Sequence, residues 1–330
     1  MIALLPNFGA EEGDEGAVAN RSELRDAALL WRELFPSSAL VVGVDVAPRL
    51  PGPHEGPAFP WLPVAGGVPW LSTPAAARRL ARLGAPLAAC DPAIVRRVHD
   101  KGWAQRAARG LGLCPLGDRV QVFDVGELDR LPAVVATLPP GPWAIKPRFG
   151  SSGRGRVPLA AVAGALPRLA KRGGAVVEPW LDRLEDLSVQ LHVAKGGAIE
   201  VLGSTRQLLS PSGVYFGNAC VIEGERPRAG TAWDDALERA AVDLARVAAA
   251  EGYFGPCGVD AFVYREADGR AVLRPVVEFN ARFTMGTVAL GILRRLQQRG
   301  EHPRAFTFAL RDHPAGRRIP LVGSAAAYLA

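Results

Sequence analysis

The sequence predicts a mixed α/β protein: a small parallel α/β unit followed by a longer α+β region. Three observations predict it. A strand–helix–strand alternation opens the chain, short strands dominate from Arg119 onward, and amphipathic helices stand among and after them. At 330 residues the chain is too long for one ordinary core, so two or three domains are expected.

The elements follow in order. Ile2–Leu5 is a short apolar run without a basic flank that meets Pro6 at once, which reads as a first strand and not as a signal peptide. Ser22 to Phe35 carries apolar residues at helical spacing, and Ala39–Val46 reads as the next strand. The GxGxxG fingerprint is missing, so a dinucleotide site is not supported. Asn7-Phe8-Gly9 sits where the first strand ends, a place where such sheets bind ligands. The run Glu11-Glu12-Gly13-Asp14-Glu15 after it reads as an exposed acidic loop. Leu50–Pro69, rich in Pro and Gly, reads as irregular.

Asp91-Pro92 supplies an N-cap and a first-turn proline for a helix through Val98, and a second helix runs from Lys101 to Arg109. A boundary near His99 divides the chain into units 1–98, 99–180 and 181–330. Val120–Phe123, Trp143–Lys146 and Val176–Trp180 are apolar runs bounded by turn residues. Lys195-Gly196-Gly197 joins Leu187–Ala194 to Ala198–Gly203 as a hairpin. A long helix spans Asp234 to Glu251. A second hairpin, Gly258–Tyr264 with Val272–Asn280, turns near Asp268-Gly269, and a last helix covers Thr287–Arg299. The tail, residues 319–330, carries no functional signal beyond a docking strand.

Composition narrows the function. With 48% hydrophobic and 22% charged residues the chain is an ordinary globular one, and no apolar run approaches the ~18 residues of a membrane span. The net charge of +6 comes from arginines scattered over amphipathic stretches such as Ala77–Arg82, so a solvated face is expected and not a nucleic-acid partner. Only 4 of the 39 basic residues are lysine, which singles out Lys101 and Lys146. Four dispersed cysteines and five histidines without ligand spacing indicate neither a zinc site nor a disulfide framework, and a reducing cytoplasm is the expected location.

The second hairpin carries the strongest chemical signal. Side chains alternate faces along a strand, so Glu278 and Asn280 share one, with Arg282 beyond them. Pairing through the turn sets Asp260 opposite Glu278 or one residue off it. Like charges so placed need a compensating cation, and oxygen donors suit Mg²⁺. Val259, Ala261 and Val263 form a buried face behind them, while Phe262 and Tyr264 keep the other face from being a wet surface.

Gly150-Ser151-Ser152-Gly153-Arg154-Gly155 follows Lys146. The order is not that of a P-loop, yet a strand-end lysine and a loop whose N–H groups can turn toward an anion are the ingredients of phosphate binding.

The succession Lys101, Lys146 with its Gly loop, Glu178-Pro-Trp-Leu181, Asp186-Leu-Ser-Val189, Asp260 and Glu278-Phe-Asn-Ala-Arg282 resembles the ATP-grasp superfamily over about residues 99 to 300. The resemblance implies two α+β subdomains preceded by a small Rossmann-like domain. It implies that Lys101 and Lys146 meet the nucleotide phosphates and that Gly150, Ser151, Ser152, Gly153 and Gly155 form the mobile lid. Glu178, Trp180 and Leu181 would meet adenine, and Asp186 the ribose. The family more often has glutamate at the ribose, which leaves Asp182 and Glu185 as rivals; Arg154 is an addition to the lid. Asp260, Glu278 and Asn280 would hold two Mg²⁺ ions (or Mn²⁺), Arg282 would face the transferred phosphoryl group or the substrate carboxylate, and Arg282 and Lys146 would be the catalytic pair.

The activity implied is that of an ATP-dependent carboxylate–amine (or carboxylate–thiol) ligase, which activates a carboxylate as an acylphosphate and, in the reading preferred, couples it to an amine. The partners expected are a small carboxylate and an amine, with neither nucleic acid nor membrane; a homodimer is compatible with this. An ATP-binding regulator without turnover is the alternative. Arg206, Tyr215 and Asn218 are candidates for the substrate pocket, in a segment that reads equally as a surface loop.

Overall fold

The computed structural model describes residues 1–13, 21–44, 56–150, 155–210, 213–314 and 316–330. Its strands form three sheets around which the helices pack.

The first sheet is parallel, with β1 (Ile2–Leu5) between β2 (Leu40–Val41) and β3 (Gly66–Pro69). All four residues of β1 are buried, as a central parallel strand covered on both faces requires. Helices α1 (Ser22–Arg32) and α2 (Pro74–Arg82) flank it. The Thr73 hydroxyl caps α2 by accepting from Ala76 N at 3.0 Å, with Pro74 in the first turn.

Two expectations change here. The strand expected over 39–46 pairs only at Leu40–Val41, and residues 45 and 46 lie outside the described ones. The stretch read as irregular up to Pro69 ends in β3. Gly66-Gly67 gives no strand signal of its own; β3 is held by its pairing, and Gly67 is required because a Cβ there would lie 2.8 Å from Ala85 O.

Helices α3 (Pro92–Val98) and α4 (Lys101–Gly110) lead to the second sheet, in which β6 (Ala175–Pro179) lies between β4 (Gln121–Phe123) and β5 (Trp143–Pro147). Both helices start on an aspartate. Asp91 accepts from Ala93 N and Asp100 from Gly102 N, each at 2.7 Å. Helices α5 (Leu131–Ala136) and α6 (Val162–Lys171) close one face of this sheet, burying Leu131 and Leu169 with Ile145 and Val177.

The third sheet has nine strands. They are β7 (Arg183–Val193), β8 (Ile199–Leu209), β9 (Tyr215–Glu223), β10 (Arg226–Arg228), β11 (Gly255–Arg265), β12 (Ala271–Asn280), β13 (Ala305–Ala309), β14 (Arg317–Pro320) and β15 (Ala326–Leu329). The order is β12-β11-β7-β8-β9-β13-β15-β14, with β10 on β9, and the pairs are antiparallel. Segments read as a surface loop, Ser204–Leu209 and Tyr215–Asn218, are therefore parts of β8 and β9, and the tail forms β15 and the end of the edge strand β14.

Helices α7 (Asp234–Ala250) and α8 (Met285–Gln297) join one core with Val259, Ala261 and Val263 of β11. The opposite face presents Phe262 and Tyr264 to Leu116, Val120 and Val176, so the large sheet packs against the small one there. Arg295 of α8, buried, donates to the carbonyls of Glu33, Leu34 and Phe35 just past α1 and to that of Gly56 ahead of β3, tying the parallel sheet's layer to the large one. Among the described residues no helix is long and apolar enough to cross a membrane.

Candidate functional site

A cleft of about 2070 Å³ opens where the three sheets meet, lined by the loop after β1, the faces of β7, β11 and β12, and β5. Its floor is the hairpin of β11 and β12. Asp260 stands directly opposite Glu278 and Gly258 opposite Asn280, after which the register shifts before Phe262. Asp260 accepts from Ser188 Oγ at 2.9 Å, Gln207 Nε2 at 2.8 Å and Asn280 Nδ2 at 3.0 Å. With its N–H turned to Asp260, Asn280 keeps its carbonyl oxygen for a cation.

Burial and the facing Glu278 charge push the Asp260 carboxyl up from its ordinary value. Burial acts the same way on Glu278, but Lys101 Nζ, 2.9 Å away, outweighs it and holds that carboxyl below the usual range. Two opposed carboxylates and an amide oxygen form an all-oxygen donor set short of a complete cage. Among the described residues no cluster of three His, Cys, Asp or Glu side chains gathers. Such a set fits Mg²⁺, which takes one or two carboxylates and completes its shell with phosphate oxygens and water.

Lys101 is the first residue of α4, and its place is fixed by neighbours. Asp100, the N-cap, is gripped by Arg148, whose Nε donates to Asp100 Oδ1 at 2.9 Å and whose fork also pairs with Asp124. Gly102 admits that guanidinium, since a Cβ there would lie 2.8 Å from Arg148 Nε. Lys101 Nζ donates to Gly150 O, so the ammonium touches both the acidic floor and the start of the glycine stretch. Gly150 has φ of 149°, a conformation that favours glycine. Ser151, Ser152, Gly153 and Arg154 lie outside the described residues; Gly155, beyond them, lines the cleft.

Lys146 of β5 also reaches the cleft, paired with Glu178 diagonally across on β6. Burial lowers its pKa, opposed by Glu178 and reinforced by Arg274 and Arg183. The structure corrects the expectation for Glu178. It does not line the cleft; one carboxylate oxygen faces Lys146 and the other accepts from Arg274 Nη2 at 2.7 Å. Trp180 and Leu181 do line the cleft. Trp180 is 42% exposed, and the guanidinium groups of Arg156 and Arg183 lie 4.4 and 5.7 Å from its ring centroid. Asp186 reaches the cleft with Oδ1 2.6 Å from Arg183 Nη1; of its rivals, Asp182 also lines the cleft, whereas Glu185 pairs with Arg206 at 3.3 Å.

Arg282 lines the cleft, but its Nε donates to Glu11 and its Nη1 to Phe283 O. Glu11 is thus not part of an exposed acidic loop. Its side chain is only 7% exposed, with His99 Nε2 at 3.5 Å. Burial would raise its pKa, yet Arg282 and His99 hold its carboxyl far below the usual range. Asn7 fixes the loop that delivers it, by a double hydrogen bond to the backbone of Leu71 at 2.8 and 3.1 Å.

The three substrate candidates separate. Tyr215 and Asn218 line the cleft and bond to each other, with Asn218 Nδ2 donating to Thr205 Oγ1 at 2.8 Å. Arg206 turns to the other face of β8, donating to Gly230 O at 2.8 Å, and its neighbour Gln207 takes the cleft side. Sequence reasoning missed Glu11, Gln207 and Arg274. Strand alternation would have found Gln207, and Arg274 is a lone charge in the apolar run Val272-Leu273-Arg274-Pro275-Val276-Val277.

No family model matches the chain, and no curated protein matches it in sequence. Solved structures do share its fold. The biotin carboxylase domain dimer of Hydrogenobacter thermophilus 2-oxoglutarate carboxylase, in complex with MgADP, ADP and bicarbonate, covers 100% of this chain and 86% of its own at 11% identity, TM-score 0.59. N5-carboxyaminoimidazole synthase from Aspergillus clavatus, with ADP and 5-aminoimidazole ribonucleotide, covers 100% and 93% at 12% identity, TM-score 0.55. Campylobacter jejuni biotin carboxylase covers 80% and 70% at 11% identity, TM-score 0.54. The chain has the ATP-grasp fold, a small parallel α/β sheet followed by a small and a large antiparallel sheet.

Proposed function

We propose that this chain is an ATP-dependent ligase that activates a small carboxylate as an acylphosphate and joins it to an amine. The observation that carries the proposal is the Asp260–Glu278 pair: two carboxylates held face to face, with Asn280, in the cleft that Lys101, Lys146 and Arg282 also line. Opposed, half-buried carboxylates repel unless a cation joins them, and a cleft with two lysines suits a polyphosphate.

In this reading Trp180 and Leu181 bound the base, Asp186 meets the ribose, and Lys101 and Lys146 meet the phosphates. Asp260, Glu278 and Asn280 would hold two Mg²⁺ ions, which would neutralise charge on the phosphates when bound. A carboxylate is a poor electrophile. Its oxygen attacks the γ-phosphorus, ADP leaves, and the acylphosphate that results is attacked by the amine at the acyl carbon, releasing phosphate. Phosphoryl transfer of this kind needs mainly positioning and charge neutralisation, which fixed cations supply without a covalent nucleophile. Arg282 stands where a planar fork can face the transferred group, with Glu11 setting its orientation. The neighbours in fold include carboxylases as well as a synthase, and the acid and amine are not named by that likeness.

The test is a panel of amino acids and small carboxylates with Mg²⁺ and ATP, read by ADP release and product mass. The expected result is ADP and phosphate only when a suitable acid and amine are both present. Tight ATP binding with silence across the panel would favour a regulatory ATP-binding protein instead.

A further inference from the structure

Glu178 holds two cations, one on each oxygen: Lys146 at the cleft wall and Arg274 behind it. Arg274 is 1% exposed on β12, next to the Phe262 ring at 5.4 Å. Its Nη2 also donates to Gln105 Oε1 at 3.1 Å, and Gln105 is fixed in turn by its own bond to Val277 O at 2.7 Å. Arg274 Nε and Nη1 are buried, and among the described residues neither has a hydrogen-bond partner. A guanidinium sealed this way is tolerable only beside a permanently charged carboxylate, and Glu178 is the carboxylate within reach.

Lys146 has the opposite situation. It faces the cleft, and a lysine there serves a polyphosphate only by leaving Glu178 or sharing itself with the ligand. If Lys146 were the only cation on Glu178, its departure would strand a buried carboxylate, and nucleotide binding would bear that cost.

We propose that Arg274 is a positioning residue, a fixed counter-cation that keeps Glu178 compensated when the Lys146 ammonium turns to the phosphates of a bound nucleotide. The proposal rests on the reading of the cleft as a nucleotide site. Arginine suits the task because it stays protonated and its fork can hold Glu178 and Gln105 together. Arg274 touches no substrate in this scheme; it acts through Glu178 on Lys146.

The experiment is calorimetric binding of ATP, and of adenosine as a ligand without phosphates, to the full chain. The wild type, R274M, R274K and the double variant E178Q/R274M are compared, with melting temperature as a control. R274M is expected to weaken ATP binding about tenfold while leaving adenosine unchanged, because the deficit lies in releasing Lys146. R274K is expected to recover part of the loss. E178Q/R274M, in which nothing charged holds Lys146 back, is expected to bind ATP within a few fold of wild type. A merely structural Arg274 would lower the melting temperature, shift both ligands alike and gain nothing from E178Q. That result, or ATP affinity unchanged in R274M, overturns the proposal. If R274M does not fold, the double variant decides, since it buries no unpaired charge: tenfold weaker ATP binding there contradicts the proposal. A wild type that binds no ATP overturns the nucleotide reading as well, and so is distinct from failure of Arg274 alone.

Discussion

Glu278 stands between Asp260 across the hairpin and Lys101 at 2.9 Å, so it is the group through which the acidic floor and the Lys101 ammonium meet. Replacing it with glutamine keeps its size and removes the charge that a dication needs. Glu278→Gln is expected to lower Mg²⁺-dependent turnover by about a hundredfold to a thousandfold, checked by initial rates over a Mg²⁺ series; wild-type rates would sink the metal assignment. Lys101, Lys146, Asp260, Glu278 and Asn280 were legible in the sequence because lysine is scarce and strand alternation fixes which side chains share a face. Glu11 was not. It meets Arg282 across 271 positions, and its neighbours in an acidic run point to solvent exposure. Arg274 and Glu178 are likewise 96 positions apart, a separation that no local pattern reports.

At the level of elements, hairpins with glycine turns and helices with aspartate caps were readable, because the signal and the structure lie within a few residues. β3, the second half of β8 and β9 were not, since their extended form depends on partners elsewhere in the chain. β7 carries a pH-sensitive contact outside the cleft. His192 stacks on Trp61 with ring centroids 4.3 Å apart and planes 5° from parallel, and burial holds its pKa down to about 4 from an ordinary 6.5. A histidine so depressed stays neutral in the fold while the unfolded chain takes up its proton, so stability is full above pH 6.5 and falls as pH drops toward 4. Urea unfolding across that window should show His192→Gln with a shallower loss than wild type. Identical slopes would mean that His192 is charged or unstacked in the fold.

The whole molecule brings three sheets to one cleft, and two long-range arginines show how. Arg295 joins α8 to the carbonyls that follow α1, and Arg282 receives Glu11 from the loop after β1. The parallel sheet's layer is thereby fastened to the large sheet on both the core side and the cleft side. The order of motifs was enough to anticipate this architecture, because Lys101, Lys146 with its glycine stretch and the acidic hairpin come in sequence along the chain. The acid and amine were not legible, since the walls around Tyr215 and Asn218 are built from strands whose pairing is non-local. The central claim is that a carboxylate oxygen becomes bonded to the γ-phosphorus of ATP. Once the panel yields a productive acid, that acid is supplied with ¹⁸O in its carboxylate, and the released phosphate is examined by mass spectrometry. The expected result is one ¹⁸O per turnover in inorganic phosphate, with ADP as the nucleotide product. Unlabelled phosphate, or AMP with pyrophosphate, would contradict it.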